Sequence, residues 1–159
     1  MNDLARKLAS HLKARKAMLV TAESCTGGWV AQELTALAGS SAWFDRGFVT
    51  YSNEAKQEML GVRAETLARH GAVSEETASE MATGALKKSR GTVSLAITGI
   101  AGPSGGTPAK PVGTVCFAWA TRDRPVHAET KHFTGDREAV RRQSVDYSLA
   151  RALELLDEA

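Results

Sequence analysis

Residues 18–37 read MLVTAESCTGGWVAQELTAL. Residues 18–22 form a short, mostly apolar run of the kind that pairs as a buried strand. The Ser-Cys-Thr-Gly-Gly segment that follows is a turn, and beyond it Val30, Leu34 and Leu37 recur at helical spacing. Thr26 is placed to cap that helix, and Gly39 stands where a helix C-cap glycine is expected. A strand running through a tight turn into a helix opens an α/β architecture, and the flanking sequence extends the pattern.

Upstream, Leu4, Leu8 and Leu12 repeat every fourth residue and predict an amphipathic helix over 3–15. Downstream, residues 47–51 are rich in aromatic and β-branched side chains and read as a second strand. Short helices are expected over 53–60 and 63–70. Ser74 opens a longer helix, with Glu75 and Glu76 in its first turn, Ala78, Ala82, Ala85 and Leu86 inward, and Gly91 at its end. Residues 93–98 read as a third strand, 99–111 as a Gly/Pro-dense loop, and 112–121 and 126–133 as two further strands. The turn at 122–125 is too short for a parallel crossover, so the last two strands form an antiparallel hairpin. Asp136 caps a final helix that carries Val140, Val145, Leu149, Leu153 and Leu156. The expected fold is therefore α/β, a three-layer α/β/α sandwich with a mixed, mainly parallel five-stranded sheet. Its 159 residues fit one domain spanning 1–159.

The formal net charge is +2, with Lys and Arg scattered along the chain. The short groups Lys13, Arg15, Lys16 and Lys87, Lys88, Arg90 fall at helix ends, where they complement the helix dipole. No basic stripe marks a nucleic-acid partner. The two cysteines, Cys25 and Cys116, offer neither a CxxC spacing nor a disulfide framework and read as free thiols of a reducing compartment. No apolar run approaches the roughly 20 residues of a membrane helix, and the charged first sixteen residues lack a signal-peptide core. A cytoplasmic protein with no membrane partner is expected, and a homodimer is the expected assembly.

Ligands of open α/β sheets bind beyond the carboxyl ends of the parallel strands. Three loops are expected there: TAESCTGG (21–28), YSNEAK (51–56) and the TGIAGPSGG loop beginning at Thr98. In the first, Ser24 sits between strand and helix, and Gly27 and Gly28 permit close backbone approach. The helix's first N–H groups, near Thr26, are then available to an anion or an oxyanion. The same residues also read as a Ser/Thr-rich helix cap. The pattern lacks the G-x-S-x-G of a nucleophile elbow. A serine needs a base, yet His11, His70, His127 and His132 all lie outside the three loops. A Ser-His-Asp triad is thereby disfavoured, and no metal-ligand spacing such as HExxH occurs.

Lys56 is the better partner. It follows Tyr51 by five residues, so both can face one site, and burial would lower its pKa as a base requires. The alternative is a surface lysine beside Glu54. The spacing is one residue longer than the Tyr-x3-Lys of short-chain dehydrogenases, and no GxGxxG follows the first strand. Cys25 is a rival nucleophile, which with Glu23 and a lysine would imitate nitrilase-type amidases; otherwise it is a small buried hydrophobe. Gly99, Gly102, Gly105 and Gly106 can turn N–H groups toward a phosphate, with a plain irregular crossover as the alternative. Arg137 and Arg141, one helical turn apart, can clamp a phosphate in paired fashion or line a solvated face.

The motifs TAESCTGG (21–28), GSSAWFDRGFVTYSNEAK (39–56), GAVSEETA (71–78), ITGIAGPSGG (97–106), KPVGTV (110–115) and FTGDREAVRRQ (133–143) occur in one order. Together they resemble the CinA C-terminal domain family in its stand-alone form, over nearly the whole chain. The resemblance implies a three-layer sandwich with one antiparallel strand and nicotinamide-nucleotide amidase activity. In that reaction nicotinamide mononucleotide and water give nicotinate mononucleotide and ammonia, with neither cofactor nor metal. It implies Ser24 as nucleophile, Lys56 as base, Tyr51 as a supporting group and Arg141 as the arginine of the last helix. Substrate contacts are expected from Thr26, Gly27, Gly28, Thr98, Gly99, Gly102, Arg137 and Arg141. Functions of the additional N-terminal domain of many relatives are not expected here. The alternative is a non-catalytic nucleotide-binding or interaction module.

Overall fold

The computed structural model describes residues 3–158; residues 1, 2 and 159, the ends of the expected domain, lie outside it. The chain runs α1 (Asp3–Ala14), β1 (Leu19–Glu23), α2 (Trp29–Thr35), a short 3-10 turn (Ser40–Ala42), β2 (Phe44–Val49), α3 (Asn53–Leu60), α4 (Ala64–His70) and α5 (Glu75–Lys87). It continues through β3 (Val93–Gly99), β4 (Thr114–Thr121), β5 (Arg124–His132) and α6 (Arg137–Asp157).

The strands form one sheet in the order β2-β1-β3-β4-β5. β1 pairs parallel with β2 and β3, whereas β3–β4 and β4–β5 are antiparallel. The sheet is thus mixed, as expected, but its ladders divide evenly between the two kinds. The expectation of a mainly parallel sheet holds for strand direction, since β4 alone runs against the others, and not for the pairing. The cause is β4: inserted between β3 and β5, it makes both of its ladders antiparallel.

β1 is buried along its whole length, because helices cover both of its faces, and such strands read as apolar runs. The two faces differ in side-chain size. Leu19, Leu95, Ile97, Phe117 and Trp119 meet Leu8 and Leu12 of α1, Val30 and Leu34 of α2 and Val145 and Leu149 of α6. The alternate residues Val20, Ala22, Ala96, Cys116, Ala118 and Ala120 meet α5 through Ala78, Met81, Ala82 and Ala85. α5 also packs on α3 so closely that a Cβ on Gly84 would lie 1.9 Å from the Leu60 carbonyl oxygen.

Ser52, Ser74 and Asp136 each cap their helix by accepting a hydrogen bond from the third residue on. α2 starts differently. Gly28, at φ 102°, is its N-cap, not Thr26, and the helix ends at Thr35. Gly39 does adopt positive φ, at 82°, but it opens the 3-10 turn and closes no helix. β2 starts three residues earlier than expected, because its register with β1 begins at Phe44 and, after a shift that leaves Asp45 unpaired with β1, continues at the polar Arg46 on the sheet's edge.

β1 has β2 on one side and β3 on the other, reached by crossovers that start on opposite layers. The chain therefore changes direction at β1, and a crevice opens beyond its carboxyl end. The turn after β1, the segment after β2 and the loop after β3 all arrive there.

Candidate active site

The turn after β1 is bent by two consecutive glycines in left-handed conformation, Gly27 at φ 60° and Gly28 at φ 102°, a region other residues enter at a cost. The bend exposes part of Ser24 to a pocket while leaving the residue only 7% accessible. Across the crevice, Ser52 caps α3 and sets the helix so that Lys56, one turn in, points back under the β1 and β2 ends. Lys56 is 1% accessible, and its Nζ lies 3.1 Å from Ser24 Oγ and 3.0 Å from the Thr50 carbonyl oxygen.

Neither of those partners is charged, so no carboxylate among the described residues balances an ammonium at this position. Burial lowers the Lys56 pKa from its ordinary 10.5, against a small opposing influence from Cys25. The neighbouring thiol behaves differently: burial pushes Cys25 up to about 12, with its own backbone N–H and Arg141 pulling weakly the other way. Cys25 is therefore a protonated thiol near neutral pH, which matches the small buried hydrophobe better than the rival nucleophile.

The pocket encloses about 210 Å3 and is lined by Ser24, Cys25, Tyr51, Asn53, Lys56, Ala72, Val73, Thr98, Gly99, Ala101 and Arg137. Other clefts on the molecule are wider, but it is the buried serine–lysine contact that singles this one out. No carboxylate lines it, and Arg137 adds a cation at its mouth. The Arg137 guanidinium donates to the Tyr51 hydroxyl at 2.9 Å and to the Gly102 carbonyl at 2.8 Å. It thereby bridges the loops that follow β2 and β3. Thr98 donates its hydroxyl to the Ala72 carbonyl, which draws the 71–74 segment against the pocket.

Of the residues expected from sequence, the fold brings Ser24, Tyr51, Lys56, Thr98, Gly99 and Arg137 to one pocket. Tyr51 bonds Arg137 and neither Ser24 nor Lys56. Gly102 contributes its carbonyl to Arg137 and stays behind the lining. Thr26, Gly27, Gly28 and Arg141 lie outside the lining. The N–H groups expected to receive an anion are occupied internally: Gly27 donates to the Ser24 carbonyl at 3.0 Å and Gly28 to Glu23 Oε1 at 3.2 Å. Arg141 donates to the carbonyls of Cys25 and Thr26 and is stacked over Trp29.

Sequence reasoning missed Asn53, Ala72, Val73 and Ala101 in the lining, the Thr50 carbonyl beneath Lys56, and Glu23 as the acceptor under the turn. Glu23 carried one signal, a carboxylate at the end of a buried strand, where a charge needs partners. The backbone contacts carried none, since any residue type supplies them.

Known proteins resemble this chain throughout. A model of the CinA C-terminal domain matches residues 1–156. A protein of Escherichia coli named nicotinamide-nucleotide amidohydrolase PncC is 60% identical over 147 residues, covering 92% of this chain and 89% of that one. The Pseudomonas putida protein of the same name is 49% identical over 155 residues, covering 98% and 96%. Among solved structures, a competence-damaged protein (CinA) superfamily protein from Klebsiella pneumoniae superposes with a TM-score of 0.95 at 46% identity, covering both chains fully at 100%.

Proposed function

The chain belongs to the CinA C-terminal domain family and is an amidohydrolase, and from that premise we propose that it hydrolyses nicotinamide mononucleotide to nicotinate mononucleotide and ammonia. The observation that carries the proposal is the contact of 3.1 Å between Ser24 Oγ and the buried Lys56 Nζ. Support for the substrate comes from the names of the relatives, from a pocket without carboxylates, and from the single arginine at its mouth.

In this mechanism Lys56 in its neutral form, which burial favours, accepts the Ser24 proton, and Oγ attacks the carboxamide carbon. The tetrahedral oxyanion forms beside the turn. The N–H of Cys25, a residue of the pocket lining that meets no acceptor oxygen among the described residues, is its donor. This moves the role from the expected Gly27 and Gly28, whose donors are already engaged. Collapse breaks the carbon–nitrogen bond, and Lys56 returns the proton to the departing ammonia. Water, deprotonated by Lys56, then attacks the ester carbon, the carbon–Oγ bond breaks, and Lys56 returns the proton to Ser24 Oγ. Arg137 takes the ribose phosphate, exchanging two neutral acceptors for a charged one. Binding at that distance from the carboxamide orients the reacting carbon.

The test is an ammonia-release assay with nicotinamide mononucleotide, free nicotinamide and glutamine, run on the wild type and on Arg137→Met. The proposal expects turnover of the nucleotide above the other two, and a KM raised about tenfold or more in Arg137→Met. Preference for glutamine, or nucleotide binding without ammonia release, contradicts it; the latter outcome is that of a binding module.

A further inference from the structure

We infer that Glu23 and Arg141 are a pair of positioning residues that grip the Ser24 turn by its opposite polar sides, and that neither reads the substrate. The inference rests on Ser24 being the nucleophile.

A five-residue turn bent through two left-handed glycines has little to hold it: α2, which follows, is only seven residues long, and short helices are marginal by themselves. Its polar groups are gripped from both directions. On the donor side, Glu23 Oε1 accepts from Thr26 Oγ1 at 2.6 Å, Gly28 N–H at 3.2 Å and Val30 N–H at 3.0 Å. Its Oε2 accepts from Ala31 N–H at 3.0 Å. Glu23 is 1% accessible and is the last residue of β1, directly before Ser24. One buried carboxylate thus satisfies the free N–H groups at the start of α2 and fills the place an external anion would take.

On the acceptor side, Arg141 donates from Nε to the Cys25 carbonyl at 3.0 Å and from Nη2 to the Thr26 carbonyl at 3.1 Å. Its guanidinium lies 5.3 Å from the Trp29 ring centroid. The planar fork suits two adjacent carbonyls, which an ammonium cannot span with the same geometry. Two further bonds complete the grip: Ser24 N–H donates to the Ile97 carbonyl and Gly27 N–H to the Ser24 carbonyl, both at 3.0 Å. Every residue from Ser24 to Gly28 is held, and Ser24 Oγ is thereby fixed against Lys56 on a different element.

Arg137 and Arg141 stand one turn apart on α6 and divide their work. Arg137 faces the pocket and holds neutral acceptors that an anion can replace. Arg141 faces the turn, and withdrawing it would strip the Cys25 carbonyl of its donor and leave the Thr26 carbonyl with the Trp29 N–H alone. A loosened turn displaces Oγ from the dyad, and displacements of about 1 Å cost on the order of a hundredfold in rate.

The experiment measures kcat and KM for nicotinamide mononucleotide in Glu23→Gln, Arg141→Met and Arg141→Lys. It also measures calorimetric affinity for the same nucleotide in a Ser24→Ala background, with and without Arg141→Met or Arg137→Met. Amide hydrogen exchange at Gly28, Val30 and Ala31 is followed in each single variant. We expect kcat to fall about ten- to a hundredfold in Glu23→Gln and Arg141→Met, KM to stay within about twofold, and Arg141→Lys to recover part of the loss. Nucleotide affinity should be unchanged by Arg141→Met and weakened about tenfold or more by Arg137→Met. Exchange at the three amides should quicken in Glu23→Gln. Affinity lost with Arg141→Met, or unchanged kcat in both Glu23→Gln and Arg141→Met, overturns the inference. Full ammonia release by Ser24→Ala would overturn the nucleophile instead, and the exchange rates then still decide whether the two charges hold the turn.

Discussion

Lys56 carries a clear physical signature, a lysine amine with 1% accessibility and no charged partner among the described residues. Its folded pKa lies below the ordinary 10.5 because burial disfavours the ammonium. Between those two values the unfolded chain holds a proton that the folded chain lacks, so stability rises with pH across the window. Catalysis by the proposed mechanism shares the sign, since only a neutral amine can take the Ser24 proton. Ammonia release should therefore climb with pH on a limb centred below 10.5, and Lys56→Met should abolish it. In parallel denaturation series, any stability advantage of Lys56→Met over the wild type should shrink as pH rises. A rate limb that falls with rising pH contradicts the base assignment. The positions of Ser24 and Lys56 were legible in the strand pattern, which still left a helix cap and a surface lysine open; their roles came from the resemblance to the family. The work of Glu23 and Arg141 was not legible. It depends on which way two left-handed glycines aim the turn's N–H and carbonyl groups, and no side-chain periodicity records that.

The base is only as well placed as α3, and α3 is placed by α5. Gly84 lets the two helices approach until a Cβ would sit 1.9 Å from the Leu60 carbonyl oxygen and 2.8 Å from its carbon. Backbone on one helix cannot yield as a flexible side chain does. Gly84→Ala should therefore force α3 outward and destabilise the fold by about 3 kcal/mol or more. It should also lower kcat, because Lys56 moves with its helix. Urea denaturation and the ammonia assay on the same preparation check both; unchanged stability and rate would show that the contact relaxes freely. Helix starts at Ser74 and Asp136 were readable from the sequence, and each caps its helix as expected, while α3 gains a further cap from Ser52. The starts of α2 and β2 were not. Glu23 reaches forward from another element to serve α2, and the polar Asp45 and Arg46 join β2 because Phe44 and Arg46 pair with β1 at the sheet's edge on either side of a register shift at Asp45.

The order β2-β1-β3-β4-β5 turns those local facts into a site. With β2 and β3 flanking β1, three segments distant in sequence end at one crevice, and the serine, the lysine and the arginine arrive from the turn after β1, from α3 and from α6. The layer architecture and that convergence followed from counting connections: helical crossovers link the first three strands, and a short turn joins the last two. The even split of parallel and antiparallel ladders did not follow, because it depends on β4 entering between β3 and β5. In the proposed mechanism the whole arrangement serves one bond, the acyl link between substrate carboxamide carbon and Ser24 Oγ. The most direct test is ammonia release from nicotinamide mononucleotide by the wild type and by Ser24→Ala, with circular dichroism confirming that both are folded. The account predicts steady release by the wild type and none above the enzyme-free background by the folded variant; release by Ser24→Ala at the wild-type rate would contradict it.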